Sequence, residues 1–373
     1  MSWRGLVGPL LAWKAGFFVW VLVAVAVLPM MFHRGYYEGN PRWSSGGSPT
    51  MIEARLSTWD AGHYLMLADR GYVPHDQSSR FPPLWPIAIR MAKPAFGGHT
   101  LAAALVLANL ASLAALLLLF AMVAESHGPA AAMGSLAFLL AFPGSLFFHL
   151  AYSESLFLLL SVLAIRELRR GRYAGAMIAA FLLPLVRLPG ALVVVPFAAH
   201  ALGGGRAHRL AWFAPAAPLL GLGAYFLCMR LLLGDPLAGV RLYQGGLCGL
   251  TVMSLVDLPG FIRRLLDFGS VHGFLDSALD RTFFLLWVAT LPRVWRLDRV
   301  WFWYVLPMGL FPAMTTCFMG FTRYAAVLFP SAVAAADLLS GERRRPWAAV
   351  VLSGFVVIQA LFAVLYVNSR WVG

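Results

Sequence analysis

The chain has 373 residues, of which 60% are hydrophobic and 12% charged, and its mean hydropathy is +0.75. Repeated apolar runs of bilayer-spanning length exclude a water-soluble enzyme and indicate an all-α polytopic membrane protein, because backbone amides in hydrocarbon must be satisfied within each helix. The formal net charge of +13 does not indicate a nucleic-acid partner, since the arginines are scattered through short loops instead of forming one basic stripe.

In chain order, the first apolar run carries Arg4 and Lys14 and extends to Phe32. It lacks a small-x-small cleavage site and reads as a retained helix flanked by topology-setting charge. Eleven spans are expected, at about residues 10 to 32, 99 to 124, 130 to 149, 153 to 168, 173 to 187, 190 to 203, 210 to 233, 281 to 292, 300 to 316, 324 to 340 and 347 to 368. Several are short for a hydrocarbon core of about 30 Å, so tilted or broken helices are expected among them. With this count, Arg166/Arg169/Arg170/Arg172, Arg206/Arg209, Arg293/Arg296/Arg299 and Arg343/Arg344/Arg345 all fall on one side, which the positive-inside rule makes cytoplasmic.

Residues 1–373 therefore read as a single transmembrane domain with two long outer segments, 33–98 and 234–280. The first opens with a Gly/Ser/Pro-rich stretch, Gly39 to Pro49. Helical spacing then runs from Ile52 through Leu56, Trp59, His63 and Met66 to Arg70, and Gly71 supplies a stop. This predicts one helix lying on the bilayer, with Asp60 at the edge of its apolar stripe and aimed into a cleft. The second segment predicts an amphipathic helix from Asp257 and Pro259, in which Phe261, Ile262, Leu265 and Leu266 oppose Arg263, Arg264 and Asp267. Cys228, Cys248 and Cys317 are too scattered for a disulfide framework, and nothing in their spacing supports a Cys248–Cys317 bridge.

Polar residues gather on the outer side: Asp60, His63, Tyr64, Tyr72, Arg80, Arg90, Tyr152, Glu154, Arg187, Asp235, Gln244, Arg323 and Tyr324. Transfer from a lipid-linked phosphosugar accounts for this inventory. A phosphodiester leaving group departs as an anion without a proton, so one carboxylate suffices to deprotonate the acceptor hydroxyl. Asp60 is the candidate base. Arg323, Arg187 and Arg80 are candidates to neutralise the departing phosphate, and His63, Tyr64, Tyr152, Glu154, Asp235, Gln244 and Tyr324 to surround sugar or acceptor. Competing structural roles are an Asp60–Arg55 ion pair, a packed His63, and helix capping by Ser153 and Glu154. No dense carboxylate cluster occurs in the first outer segment, so no essential metal or other cofactor is expected, although a divalent cation remains compatible.

The motifs also occur in a particular order: Trp59-Asp60 with His63 and Tyr64; Gly71-Tyr72; Phe81-Pro82-Pro83-Leu84-Trp85-Pro86 followed by Arg90; Tyr152-Ser153-Glu154-Ser155-Leu156-Phe157; Arg169-Arg170-Gly171-Arg172-Tyr173; Arg187 with Pro189 and Gly190; Gly234-Asp235-Pro236-Leu237 with Gln244; and Arg323-Tyr324 with Phe329-Pro330. That order resembles the PIG-V family of GPI mannosyltransferases and their prokaryotic relatives, within the GT-C superfamily. The resemblance implies a GT-C-like fold and an inverting transfer of mannose from a polyprenyl-phosphate donor. It places the catalytic aspartate in the first outer loop, here Asp60. The acceptor would be a lipid, glycolipid or glycan hydroxyl at the outer face. A transferase using another lipid-linked sugar or a protein acceptor, and a lipid or solute transporter, are the alternatives. High alanine and arginine content with few lysines suggests a bacterial plasma membrane, with the site facing the periplasm or exterior.

Overall fold

A computed structural model describes residues 4–27, 51–203, 209–244, 257–273, 277–315, 318 and 320–373. Its order begins with α1 (Arg4–Val27), α2 (Met51–Leu56), α3 (Asp60–Arg70), α4 (Leu84–Ala92), α5 (Thr100–Ala141), α6 (Glu154–Arg169) and α7 (Tyr173–Val186). Next come α8 (Val194–Gly203), α9 (Arg209–Phe213), α10 (Ala216–Leu233), α11 (Ala238–Gln244) and α12 (Leu258–Leu265). The order closes with α13 (Ala278–Leu297), α14 (Arg299–Ala313), α15 (Phe321–Ala325), α16 (Phe329–Leu338) and α17 (Arg345–Val367). Among the described residues the sole β pairing is one isolated bridge between Ser270 and Ser277. The all-α membrane architecture read from composition is what the chain adopts.

Helical segments occupy all eleven expected spans, but their lengths differ. Four stretches are long and apolar enough to cross a membrane by length and composition: Gly5–Val27, Thr100–Ala141, Arg209–Leu233 and Glu342–Val367. Two expected spans make up α5, whose 42 residues would give roughly 60 Å if unbroken, about twice a bilayer core, but the helix is interrupted between them as expected. Its halves meet at Gly128, where φ is 85° and ψ 162°, just before Pro129. Glycine supplies the left-handed backbone there, and proline restarts the helix. Elsewhere proline cuts spans short. The helix expected over residues 190 to 203 becomes a 3-10 turn, Leu188–Val193, followed by α8, with Pro189 in the first turn. The lipid-facing positions are apolar, with Val19, Leu22, Leu220, Leu231, Val357 and Leu361 all exposed.

Loops assigned to the same side meet. Arg169 pairs with Asp298 at 2.9 Å, and Arg293 pairs with Asp337, which ties three arginine-rich connections together at one end of the bundle. Lys14 departs from its expected role as a flanking topology charge. It is 5% exposed and lies mid-helix in α1, donating to Asn109 Oδ1 at 3.1 Å and to Ser112 Oγ at 2.7 Å. Polar acceptors inside the bundle have drawn the ammonium inward, the usual requirement for an ionisable group at membrane depth.

Two hydrophobic cores share the molecule. One joins α5 to α8 with α13, α14 and α16; the other joins α1, α3, α4 and the start of α5 with the end of α17. Leu156, Leu279 and Ile358 pack against both, and the candidate site lies beside that seam. The amphipathic helix of the second outer segment forms as α12. Asp257 caps it by accepting from the Gly260 N–H at 2.9 Å, Phe261 packs on Phe284 and Phe318, and Ile262 stays exposed. Cys248, Cys317 and Gly39 to Pro49 lie outside the described residues; Cys228 is a free thiol.

Candidate active site

The single helix expected from Ile52 to Arg70 is in fact two. The chain leaves α2 at Ser57 and re-enters helix at Asp60. Between them Trp59 adopts φ 55° and ψ −133°, a backbone region almost reserved for glycine that costs a larger residue about 1–3 kcal/mol. Neighbouring side chains hold the turn in place. The Tyr366 hydroxyl donates to the Leu56 carbonyl at 3.2 Å, the Tyr152 hydroxyl to the Thr58 carbonyl at 3.3 Å, and Thr58 Oγ1 to the Tyr366 carbonyl at 3.3 Å. Trp59 Nε1 donates to the Arg370 carbonyl at 3.1 Å, and its ring meets Trp371 edge to face with centroids 5.3 Å apart. α3 is therefore packed within the protein, with Tyr64, Leu65, Met66 and Leu67 buried. Helical periodicity gave no sign of the break because no Gly or Pro marks it.

The break makes Asp60 the first residue of α3, where a carboxylate favours the helix N-terminus. Its ion-pair partner is Arg323, whose Nη1 lies 2.5 Å from Asp60 Oδ2. Arg323 Nε also donates to Glu154 Oε1, and Arg187 Nη1 donates to that same oxygen. Four groups from separate parts of the chain thus alternate in sign: Asp60, Arg323, Glu154, Arg187. Aromatic faces fix both guanidinium planes. Arg323 lies 4.7 Å from the Tyr152 ring centroid and 5.1 Å from that of Phe147, and Arg187 lies 4.8 Å from that of Tyr324. Arg187 reaches the network because it sits in an extended break, φ −152° and ψ 133°, between α7 and the Pro189-containing turn.

The capping role considered for Ser153 is not adopted, since Ser153 makes no side-chain cap bond. Its hydroxyl bonds Tyr64 OH at 2.8 Å and lies 3.5 Å from Arg187 Nη1. Glu154, 1% exposed, serves as the shared anion of two arginines. Arg80 sits over Phe81 at 5.0 Å and acts on Asp60 through its charge. Counting it, three guanidiniums face two carboxylates, which leaves a surplus positive charge suited to an anionic ligand.

Burial by itself would raise the Asp60 pKa, but the charges of Arg323, Arg80 and His63 outweigh it and hold the carboxyl below its usual range. His63 donates to or accepts from Ser78 Oγ at 2.8 Å and packs on Phe81 at 5.2 Å. Burial pulls its pKa down to about 4, so the ring is neutral at physiological pH. Burial pushes the Tyr64 hydroxyl upward, which keeps it a neutral donor.

Asp235 is engaged in its own turn, accepting from the Leu237 N–H at 3.0 Å and pairing with Arg241 at 2.9 Å. That turn leads into α11, which packs on the Gln77–Arg80 3-10 turn; Asp235 thus stands next to the Arg80 segment without joining the Asp60 network. The Gln244 side chain lies outside the described residues. Phe147, Ser78, Tyr366 and Trp371 border the site and were not singled out from the sequence, where they carry no local signal. Ser153 was considered there only as a helix cap, although it adjoins the singled-out Glu154. Among the described residues, no three His, Cys, Asp or Glu side chains come together as a metal-ligand group.

A network pairing the first outer segment with Tyr152-Ser153-Glu154 and Arg187 can be set against known families. The family model described as mannosyltransferase (PIG-V) matches residues 48–243, more than half of the chain. The chain belongs to the PIG-V mannosyltransferase family. The matched region contains Asp60, Arg80, Tyr152, Glu154 and Arg187, whereas Arg323 lies beyond it. No curated protein matches the chain. Among solved structures, an oligosaccharyltransferase of Archaeoglobus fulgidus is similar at 13% identity with a TM-score of 0.49, covering 96% of this chain and 53% of that one. The chain thus spans about half the length of that structure's chain.

Proposed function

We propose that this enzyme moves mannose, with inversion, from a polyprenyl-phosphate-mannose donor to an acceptor hydroxyl at the outer face of a bacterial plasma membrane. The acceptor is a lipid, glycolipid or glycan. The observation that carries this reading is the Asp60–Arg323 ion pair, which sets a carboxylate base against a phosphate-binding guanidinium in a chain of mannosyltransferase family.

In the proposed step the acceptor oxygen attacks the anomeric carbon from the face opposite the phosphate. Its proton passes to an Asp60 carboxylate oxygen. The C1–O bond to phosphate breaks, and its electron pair leaves with the lipid monophosphate. Arg323 and Arg187 neutralise that charge, with Arg80 adding to the field. The aromatic faces that hold Arg323 and Arg187 pre-orient them, so little side-chain entropy is lost on binding phosphate. His63, Tyr64, Tyr152, Tyr324, Asp235 and Gln244 are proposed to line the sugar and acceptor region.

The test is an Asp60→Asn variant assayed with polyprenyl-phosphate mannose and a mixed pool of membrane glycolipid acceptors. It is expected to bind the donor with near-parental affinity and to lose transfer by about 10²–10⁴-fold. Near-parental turnover would remove Asp60 from the role of base.

A further inference from the structure

Arg323 belongs to α15, a helix of only five residues that cannot hold its own geometry. Something outside it must set where the guanidinium points. Asp280, at the start of α13, reaches across to it. Asp280 Oδ1 accepts from the Thr322 N–H at 2.7 Å and from Thr322 Oγ1 at 2.6 Å, and Asp280 is 0% exposed. One carboxylate oxygen therefore caps the N-terminus of the arginine-bearing helix, where Gly320 at φ 69° supplies no side-chain cap.

The other side of the same residue is clamped too. A Cβ on Gly144 would stand 2.1 Å from the Thr322 carbonyl oxygen, so the 3-10 turn Pro143–Phe148, which also carries Phe147, is seated directly against it. Asp280 is itself immobile. Its N–H is bonded by Ser277 Oγ at 3.1 Å, while Arg281 ties α13 to the Arg264 and Ser277 carbonyls at 2.9 Å each.

We infer that Asp280 is a positioning residue for Arg323: by capping α15 through Thr322, it sets where the guanidinium meets the donor phosphate. The inference rests on the proposed role of Arg323 as a phosphate ligand. It adds a residue from α13, some forty positions upstream of Arg323, that never touches substrate.

The experiment measures competitive inhibition by polyprenyl monophosphate, the proposed product, in detergent-solubilised enzyme that remains monodisperse. Asp280→Ala is expected to raise Ki by tenfold or more. Asp280→Asn, which retains the Oδ1 acceptor, is expected to recover Ki to within about threefold of the parent. In an Arg323→Ala background, Asp280→Ala should add less than threefold, because the guanidinium it positions is gone. A parental Ki for Asp280→Ala, or a full tenfold loss repeated in the Arg323→Ala background, would overturn the inference while leaving the Arg323 reading standing. A parental Ki for Arg323→Ala would overturn both. Should Asp280→Ala fail to fold, Thr322→Val removes only the hydroxyl half of the cap. It is then expected to raise Ki three- to fivefold, and an unchanged value counts against the inference.

Discussion

Asp60 and Arg323, 263 positions apart in sequence, share an ion pair of 2.5 Å. The pair has two consequences for the proposed transfer. It keeps Asp60 ionised and thus able to take a proton, and under the proposed roles it makes the phosphate ligand and the base competitors for one another. On that proposal, a donor phosphate that draws Arg323 toward itself would return basicity to Asp60 when the acceptor must be deprotonated.

The pH dependence follows from the same pair. The Asp60 carboxyl is held below its usual range, and a base must be unprotonated to work. Activity is therefore lost as pH falls through the depressed folded pKa, and the acid limb of kcat/KM lies under the ordinary carboxylate value of about 3.9. The same sign holds for stability: the contribution of Asp60 is fully present above its unfolded pKa and is lost as pH falls through the folded one. His63, with a pKa near 4, adds no inflection around pH 6.5. A profile measured from pH 5 to 8 is expected to be flat with respect to both groups, and a limb near 6.5 that disappears in His63→Gln would contradict this.

Glu154 is the buried anion that buried Arg323 and half-buried Arg187 share. Removing one partner of a buried charge network leaves the others uncompensated, at a cost of about 3–5 kcal/mol. Glu154→Ala is expected to lower thermal stability in detergent more than Asp60→Ala does, since Asp60 is the more exposed of the two carboxylates. Differential scanning fluorimetry on the two variants measures the order directly.

Arg187 and Arg323 are not replaceable by lysine. Each guanidinium is held against an aromatic face while it donates to a carboxylate, and an ammonium cannot reproduce that planar fit. Arg323→Lys is expected to cost at least tenfold in kcat/KM for the donor, and Arg187→Lys somewhat less because Arg187 is bonded to Glu154 and not to Asp60. Steady-state kinetics with varied donor at fixed acceptor give both values; full activity in Arg323→Lys would count against a directional role.

Trp59 holds its unfavourable backbone through a hydrogen bond to Arg370 and an edge contact with Trp371. Trp59→Phe removes the hydrogen bond and keeps the ring, a loss of about 1 kcal/mol. Trp371→Ala removes the ring contact. Both are expected to lower kcat with little change in donor KM, because they loosen the turn that aims Asp60 without touching the arginines. A change confined to donor KM would place the turn in donor binding instead.

Much of this was legible in the sequence, for physical reasons. Apolar run length revealed the spans because hydrocarbon leaves a helix little alternative. Asp60 stood out because charge near lipid is costly. What stayed hidden depended on tertiary contacts. The break at Trp59 has no local breaker residue and is held by tertiary contacts from Tyr152, Tyr366, Arg370 and Trp371. Lys14 read as a flank because Asn109 and Ser112, which receive it, lie about a hundred positions on. The pairing of Arg323 with both Asp60 and Glu154 could not be derived from spacing, as no periodicity links three such distant segments. Asp280 did carry a signal, the Ser277-x-x-Asp280 pattern of a helix start, but the pattern speaks only for its own helix and not for the one it caps.

The turn before Asp60 takes its support from Tyr366 and Arg370, more than three hundred residues later in the chain. Synthesis therefore delivers the aspartate long before the side chains that aim it. A nascent chain halted ahead of α17 would already hold Asp60, Glu154, Arg187 and Arg323, yet the turn bearing Asp60 would lack its brace. The four charged groups are thus made before the element that fixes how the first of them is aimed.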